Sequence, residues 1–258
     1  MSTTPFPSER TAVVTGAGAP RGIGRHVARA LAASGWNVAV LDIDESAVTG
    51  FASELAAESG RTVVGIGADI ADKESVERAF ATIDAELPPV LAEVNLAGIP
   101  GPQEFFDLTS ENFTRIMDVN AKGTLFMMQA AASRMIEAGT GGRIVNTSSI
   151  TAYDGGGTFS KTGYAAAKAA VLGLTRGGAR ELGKHGITCN SIVPGPIDTD
   201  IMGGTLTEER KSGMSADIPL ERVGQPQEVA GLIKFLVSED SSFVNGDAVF
   251  VDGGKHMV

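Results

Sequence analysis

Several residue types are scarce. The 258 residues include one cysteine, one tryptophan, two tyrosines and three histidines. A lone thiol, Cys189, excludes an intrachain disulfide framework and a cysteine-rich zinc site, and it fits a reducing compartment. It lies in the apolar stretch Ile187 to Val193, which favours packing over reactivity. His185 and His256 read as solvated, and no His or carboxylate cluster argues for a metal. Cations are few as well: 21 Lys and Arg against 31 Asp and Glu leave a net charge of −10 and a pI near 4.8, a poor match for a nucleic-acid polyanion. No uncharged apolar run reaches the ~18 residues of a membrane span. Met1 to Arg10 carries prolines, hydroxyls and an acid instead of a basic region followed by an apolar run, so no secretory signal is expected. The chain is read as cytoplasmic, with neither membrane nor nucleic acid as a partner.

What is abundant is apolar surface, at 43% of positions, enough for one core over residues 1–258. Short β-rich runs recur at Thr11 to Thr15, Trp36 to Leu41, Thr62 to Ile66, Val90 to Asn95, Arg143 to Thr147, Ile187 to Val193 and Ala248 to Val251. Helical spacing occupies Gly22 to Ala33, Glu45 to Glu58, Lys73 to Glu86, Ser110 to Ala138, Tyr164 to Lys184 and Gln227 to Val237. This alternation predicts an α/β fold: a single-domain, Rossmann-like, doubly wound parallel sheet of about seven strands with helices on both faces. From Pro194 to Pro226 the alternation stops. That stretch has glycines, prolines and one short helical candidate, Thr207 to Met214, and reads as a substrate loop or lid over about residues 196–225.

The first strand runs into Thr15-Gly16-Ala17-Gly18-Ala19-Pro20-Arg21-Gly22-Ile23-Gly24 and then a helix. Glycines at such a turn let backbone approach a pyrophosphate at a helix N-terminus. Asp42 closes the second strand 18 residues beyond Gly24, where an acid accepts hydrogen bonds from the ribose hydroxyls of NAD and repels the extra phosphate of NADP. Arg21, beside the turn, points the other way, since a guanidinium is what a 2′-phosphate seeks. The strand-end position of Asp42 favours NAD.

Tyr164 and Lys168 lie four apart on an Ala-rich helix and share a face. Lowering a phenol from ~10 to ~7 requires about 4 kcal/mol, which an ammonium ~4 Å away supplies at intermediate dielectric. Upstream, the strand Gly142 to Thr147 delivers Ser148 and Ser149 to the carboxyl edge of the sheet, where a hydroxyl can hydrogen-bond a carbonyl oxygen becoming an alkoxide. Phe113, Ile116, Met117, Asn120, Thr124, Met127 and Ala131 follow three- and four-residue steps. Their stripe faces the core and places the Asn120 amide on it, so that amide must find partners.

In order along nearly the whole chain, these residues resemble the short-chain dehydrogenase/reductase family. The glycine turn, with Gly16, Gly22 and Gly24, is similar to the family's TGxxxGxG. Asp69-Ile70 resembles its adenine-contacting acid, Asn95-Leu96-Ala97-Gly98 its NNAG, and Asn120 its VNxxG asparagine. Ser149, Tyr164 and Lys168 resemble its catalytic set. Pro194-Gly195-Pro196-Ile197-Asp198-Thr199 resembles the loop that grips the nicotinamide carboxamide, and Val251-Asp252-Gly253-Gly254 the closing strand. The resemblance implies hydride transfer between NAD(H) and a secondary alcohol or ketone. It makes Tyr164 the general acid/base, with Lys168 lowering its pKa and binding the nicotinamide ribose, Ser149 orienting the substrate oxygen and Asn120 maintaining a proton relay. It also implies a homo-oligomer, a tetramer or a dimer. Departures are two extra residues between Gly16 and Gly22, Leu96 in place of an asparagine, and two extra residues between Ser149 and Tyr164. The last leaves Ser148 as the alternative hydroxyl.

Three rivals remain open at this point. An NADPH-linked ketoreductase, for instance of 3-oxoacyl thioesters, is opposed by Asp42. A dinucleotide-binding regulator without catalysis predicts a broken catalytic set, and an enoyl reductase would space its Tyr and Lys more widely. Tyr153, Phe159, Ile99, Pro100, Met202 and Met214 are candidate substrate-pocket residues.

Overall fold

The computed structural model describes residues 6–157, 160–200, 204 and 207–257. Seven parallel strands form one sheet in the order β3-β2-β1-β4-β5-β6-β7. They are β1 (Thr11–Thr15), β2 (Asn37–Asp42), β3 (Val63–Gly67), β4 (Val90–Asn95), β5 (Gly142–Thr147), β6 (Ile187–Pro194) and β7 (Ala248–Val251). The continuous apolar runs have the expected cause: both faces of the sheet are covered. Ala12, Val14, Val38 and Val40 pack under α1 (Ile23–Ala32), α2 (Glu45–Ser59) and α9 (Pro226–Leu236). Val13, Ala39 and Leu41 point the other way, against α3 (Lys73–Glu86), α5 (Gly123–Ala138) and α7 (Thr162–Leu182).

The chain order reverses between β1 and β4, which pair directly. A crevice therefore opens at the carboxyl ends of these two strands, where open α/β sheets hold ligands. The turns after both strands are tied together, because the backbone N–H groups of Leu96 and Ala97 each donate to Thr15 Oγ1 at 3.0 Å.

One expected helix is broken. Ser110 to Ala138 reads as a single period, but α4 (Ser110–Met117) and α5 are joined by a wider π turn over Asp118–Lys122. Asn120 sits inside that turn, and its Nδ2 donates both to Ile116 O and to Ile99 O, each at 3.0 Å. A side chain bonded to its own helix four residues back competes with the main-chain ladder and widens it. The core-facing stripe is correct for Ile116, Asn120, Thr124, Met127 and Ala131, all buried, but Phe113 is 39% exposed.

Between β6 and α9 the described residues include a bridge between Ile197 and Gly224 and the helix α8 (Glu208–Ser215). Asp198, buried to 8% exposure, joins three segments there: Arg21 Nη2 donates to it at 2.7 Å and Lys211 Nζ lies 2.9 Å away. The glycine turn, the post-β6 segment and α8 thus share one ion-pair cluster.

Candidate active site

A cleft of about 1920 Å³ runs along the carboxyl edge of the sheet. Its floor at one end is the glycine turn. Gly16 has a φ of +71°, and a Cβ on it would lie 2.8 Å from Ala97 N; one on Gly24 would lie 2.3 Å from Gly16 O. Both glycines are therefore demanded by the close approach of β1, α1 and the β4 turn, which leaves backbone, not side chains, facing the cleft.

Most of the residues named from the sequence meet here. Gly16, Gly22, Ile23, Gly24, Asp42, Asp69, Ile70, Ala97 and Gly98 line one part of the cleft, and Ser149, Tyr164, Lys168, Pro194, Gly195, Ile197 and Thr199 another. Three do not line the cleft. Asn95 donates from Nδ2 to Asn146 Oδ1 at 2.9 Å inside the sheet. Asn120 is fully buried, with Oδ1 against Gly98. Arg21 is paired with Asp198, with Asp200 at 3.6 Å. Of the candidate pocket residues, Ile99, Pro100 and Met214 line the cleft; Phe159 and Met202 lie outside the described residues. Tyr153 instead packs on Phe250 and His256, with ring centroids 5.0 and 5.2 Å apart. His256 is thus not a solvated position: it stacks on Phe250 and contributes to the cleft wall.

Helix α7 brings Tyr164 and Lys168 to the cleft one turn apart. The strand ends fix its position: Ser148 Oγ donates to Lys168 O at 2.9 Å, Asn146 Nδ2 to Thr175 Oγ1 at 3.0 Å, and Thr175 and Ser191 share a 2.6 Å hydroxyl contact. Ser148 is committed to this anchoring. Ser149 Oγ instead donates to Thr151 Oγ1 at 3.1 Å and accepts from Thr151 N at 3.2 Å. Thr151, which opens the short helix α6 (Thr151–Asp154), escaped the sequence reading because a Thr two residues after a Ser is an ordinary turn former.

The electrostatics differ from the expectation in direction. Burial pushes the Tyr164 phenol up to about 12 and the Lys168 ammonium down to about 8. Lys168 Nζ donates to Thr147 O at 2.9 Å and stands 5.4 Å from the centre of the Tyr164 ring. It faces the ring, and burial alone accounts for the direction of both shifts. The protein's own groups do not bring the phenol toward neutrality.

Fold and cleft together define an α/β protein with a dinucleotide-type crevice at the switch point of its sheet and a Ser, Tyr and Lys set at one end. Residues 16–256 match a family model described as enoyl-(acyl carrier protein) reductase. The chain is 39% identical over 255 residues to the (3R)-3-hydroxyacyl-CoA dehydrogenase of Mus musculus, covering 95% of this chain and 96% of that one. It is 39% identical over 251 residues to L-rhamnose 1-dehydrogenase (NAD(P)(+)) of Azotobacter vinelandii, with the same coverages. With 3-oxoacyl-(acyl-carrier-protein) reductase MabA of Mycobacterium tuberculosis it shares 37% over 253 residues, 98% of this chain and 95% of that one. A crystal structure of a short-chain type dehydrogenase/reductase from Mycobacterium marinum superposes with a TM-score of 0.91 at 33% identity, covering 98% of both chains. The chain belongs to the short-chain dehydrogenase/reductase family. It is an oxidoreductase of the hydride-transfer kind that uses a nicotinamide cofactor, NAD(H) or NADP(H). Among the described residues no helix is long and apolar enough to cross a membrane.

Proposed function

We propose that the protein is an NAD(H)-dependent dehydrogenase/reductase interconverting a secondary alcohol and its ketone, with Tyr164 as general acid/base. The observation that carries this reading is the meeting of Ser149, Tyr164 and Lys168 in the same cleft as the glycine turn and Asp42. The residues fit a dinucleotide: the turn presents backbone where a Cβ would collide, and Asp42 sits half-buried at the end of β2. Gly16, Gly22, Ile23 and Gly24 would face the pyrophosphate, Asp42 the adenosine ribose, Asp69 and Ile70 the adenine, and Ala97, Gly98, Pro194, Gly195, Ile197 and Thr199 the nicotinamide half. Arg21 supports the NADPH alternative less than its position in sequence suggests, since Asp198 and Asp200 engage it.

A bound nicotinamide supplies the hydride and, when oxidised, a positive charge. In reduction, Tyr164 would give its proton to the substrate oxygen while Ser149 donates a hydrogen bond to the same atom. In oxidation, Tyr164 would take that proton. With its phenol near 12, reaching ~7 requires about 7 kcal/mol, and an ammonium ~5 Å away provides roughly 3 at an effective dielectric of ~20. Lys168 alone is therefore insufficient, and the remainder must come from the charge of the bound cofactor and from hydrogen bonds to the phenolate.

The test is Tyr164→Phe, assayed by NADH formation over a panel of 3-hydroxyacyl thioesters, aldoses and simple secondary alcohols. Turnover is expected to fall by at least about a thousandfold while NADH affinity stays within a few-fold. Full activity in the variant refutes the mechanism.

A further inference from the structure

We infer that Gly18 is a specificity-determining residue for the adenosine ribose: its amide and its missing side chain together hold the Asp42 carboxylate where it discriminates between the two dinucleotides. This rests on the reading of Asp42 given above. Gly18 N–H donates to Asp42 Oδ2 at 2.8 Å, and Asp44 N–H donates to Oδ1 at 3.3 Å. Both carboxylate oxygens are thus oriented by backbone. The Gly18 peptide is itself fixed, because Arg25 Nη2 donates to Gly18 O at 2.9 Å and to Ala47 O at 3.2 Å, and its Nε donates to Ala17 O at 3.2 Å. Arg25 in turn lies over the Phe51 ring at 4.6 Å.

A Cβ at position 18 would stand 2.6 Å from Asp42 Cγ and 2.8 and 2.9 Å from its two oxygens. Those are its three nearest neighbours, so the first conflict is with the carboxylate. Gly18 is not among the glycines with positive φ, so an L residue suits its backbone. Asp42 can escape an added methyl only by rotating its side chain, which abandons both backbone donors. A change at Gly18 therefore removes the diol acceptor, and with it the negative charge facing a 2′-phosphate, while Asp42 stays in the sequence. This signal was invisible in the chain, where Gly18 is one glycine of a turn that has several.

The experiment is calorimetric titration of NADH and NADPH into the wild type, Gly18→Ala, Asp42→Ala and the double variant, with melting curves for each. Gly18→Ala is expected to weaken NADH binding on the order of tenfold and to narrow the NADH-over-NADPH ratio to that of Asp42→Ala. The double variant should match Asp42→Ala within about twofold, because the methyl then has no carboxylate to displace. A wild-type ratio in Gly18→Ala, or losses that add in the double variant, overturns the inference. If Asp42→Ala itself leaves the ratio unchanged, the reading of Asp42 fails and the inference falls with it. Should Gly18→Ala not fold, recovery of fold and of Asp42→Ala-like binding in the double variant supports the inference, and a second failure to fold overturns it.

Discussion

Glu93 offers a test that involves neither cofactor nor substrate. It stands in the middle of β4, fully buried, in register with Val13 on one side and Ile144 on the other. Neither of its carboxyl oxygens has a hydrogen-bond partner, and the nearby Asn95 Oδ1 is unpartnered too. Burial holds its carboxyl well above the usual carboxylate range, and the Asn95 amide offsets only part of this. Burial at this position thus favours the neutral acid over the carboxylate.

The sign of the pH effect follows from linkage. In the unfolded chain a glutamate ionises near 4.5, so above that pH folding must take up a proton. Stability is complete below the unfolded pKa and declines as pH rises toward the folded one, by about 1.4 kcal/mol per unit. Glu93→Gln keeps the shape and a neutral donor but has no proton to gain. Between about pH 5.5 and about pH 7.5 the variant should therefore gain unfolding free energy relative to the wild type. Urea titrations across that range, followed by fluorescence of the buried Trp36, read the difference directly. Parallel pH profiles in the two proteins would refute the reasoning, since they would mean that Glu93 is ionised in the fold.

Lys168→Met should stabilise the protein at neutral pH while abolishing turnover. Its ammonium ionises near 8 in the fold against 10.5 unfolded, so folding with the charge in place costs up to about 3 kcal/mol. The wild type should gain that back as pH rises from about 8 to about 10.5, and Lys168→Met should not; thermal melts across that range check it. Gly16→Ala should destabilise by at least about 1–2 kcal/mol from its φ of +71° alone, with the 2.8 Å approach to Ala97 N adding to it. It should lower the melting temperature by several degrees and weaken dinucleotide binding. Cys189, whose thiol burial pushes up to about 12, should ignore a thiol reagent in the native protein and react on unfolding; rapid native labelling would contradict its placement in β6.

The fold was legible because the sheet is buried on both sides. Runs such as Ala12 to Val14 and Val38 to Leu41 have to be apolar without alternation, and the helices between them carry one apolar stripe each. The break at Asn120 was not legible, because a polar residue at a core position states only that it needs partners. Whether it finds them in a neighbouring loop or in its own helix depends on Ile99 O arriving alongside. The same limit applies at the site. Residue types and spacing brought Tyr164, Lys168 and Ser149 together, since helical period and strand register fix where they point. They did not give the direction of the pKa shifts, which depends on how much protein surrounds each group. Tyr164 and Lys168 lie four residues apart on an exposed helix as readily as on a buried one, and only in the buried case does desolvation push both toward their neutral forms. In this family member the helix that presents the pair is pinned through Ser148, Asn146, Thr175 and Ser191 to the strand ends beneath it. That pinning keeps an ammonium and a phenol in a place that disfavours both of their charged forms, so charge brought by a ligand is felt there far more strongly than it would be in water.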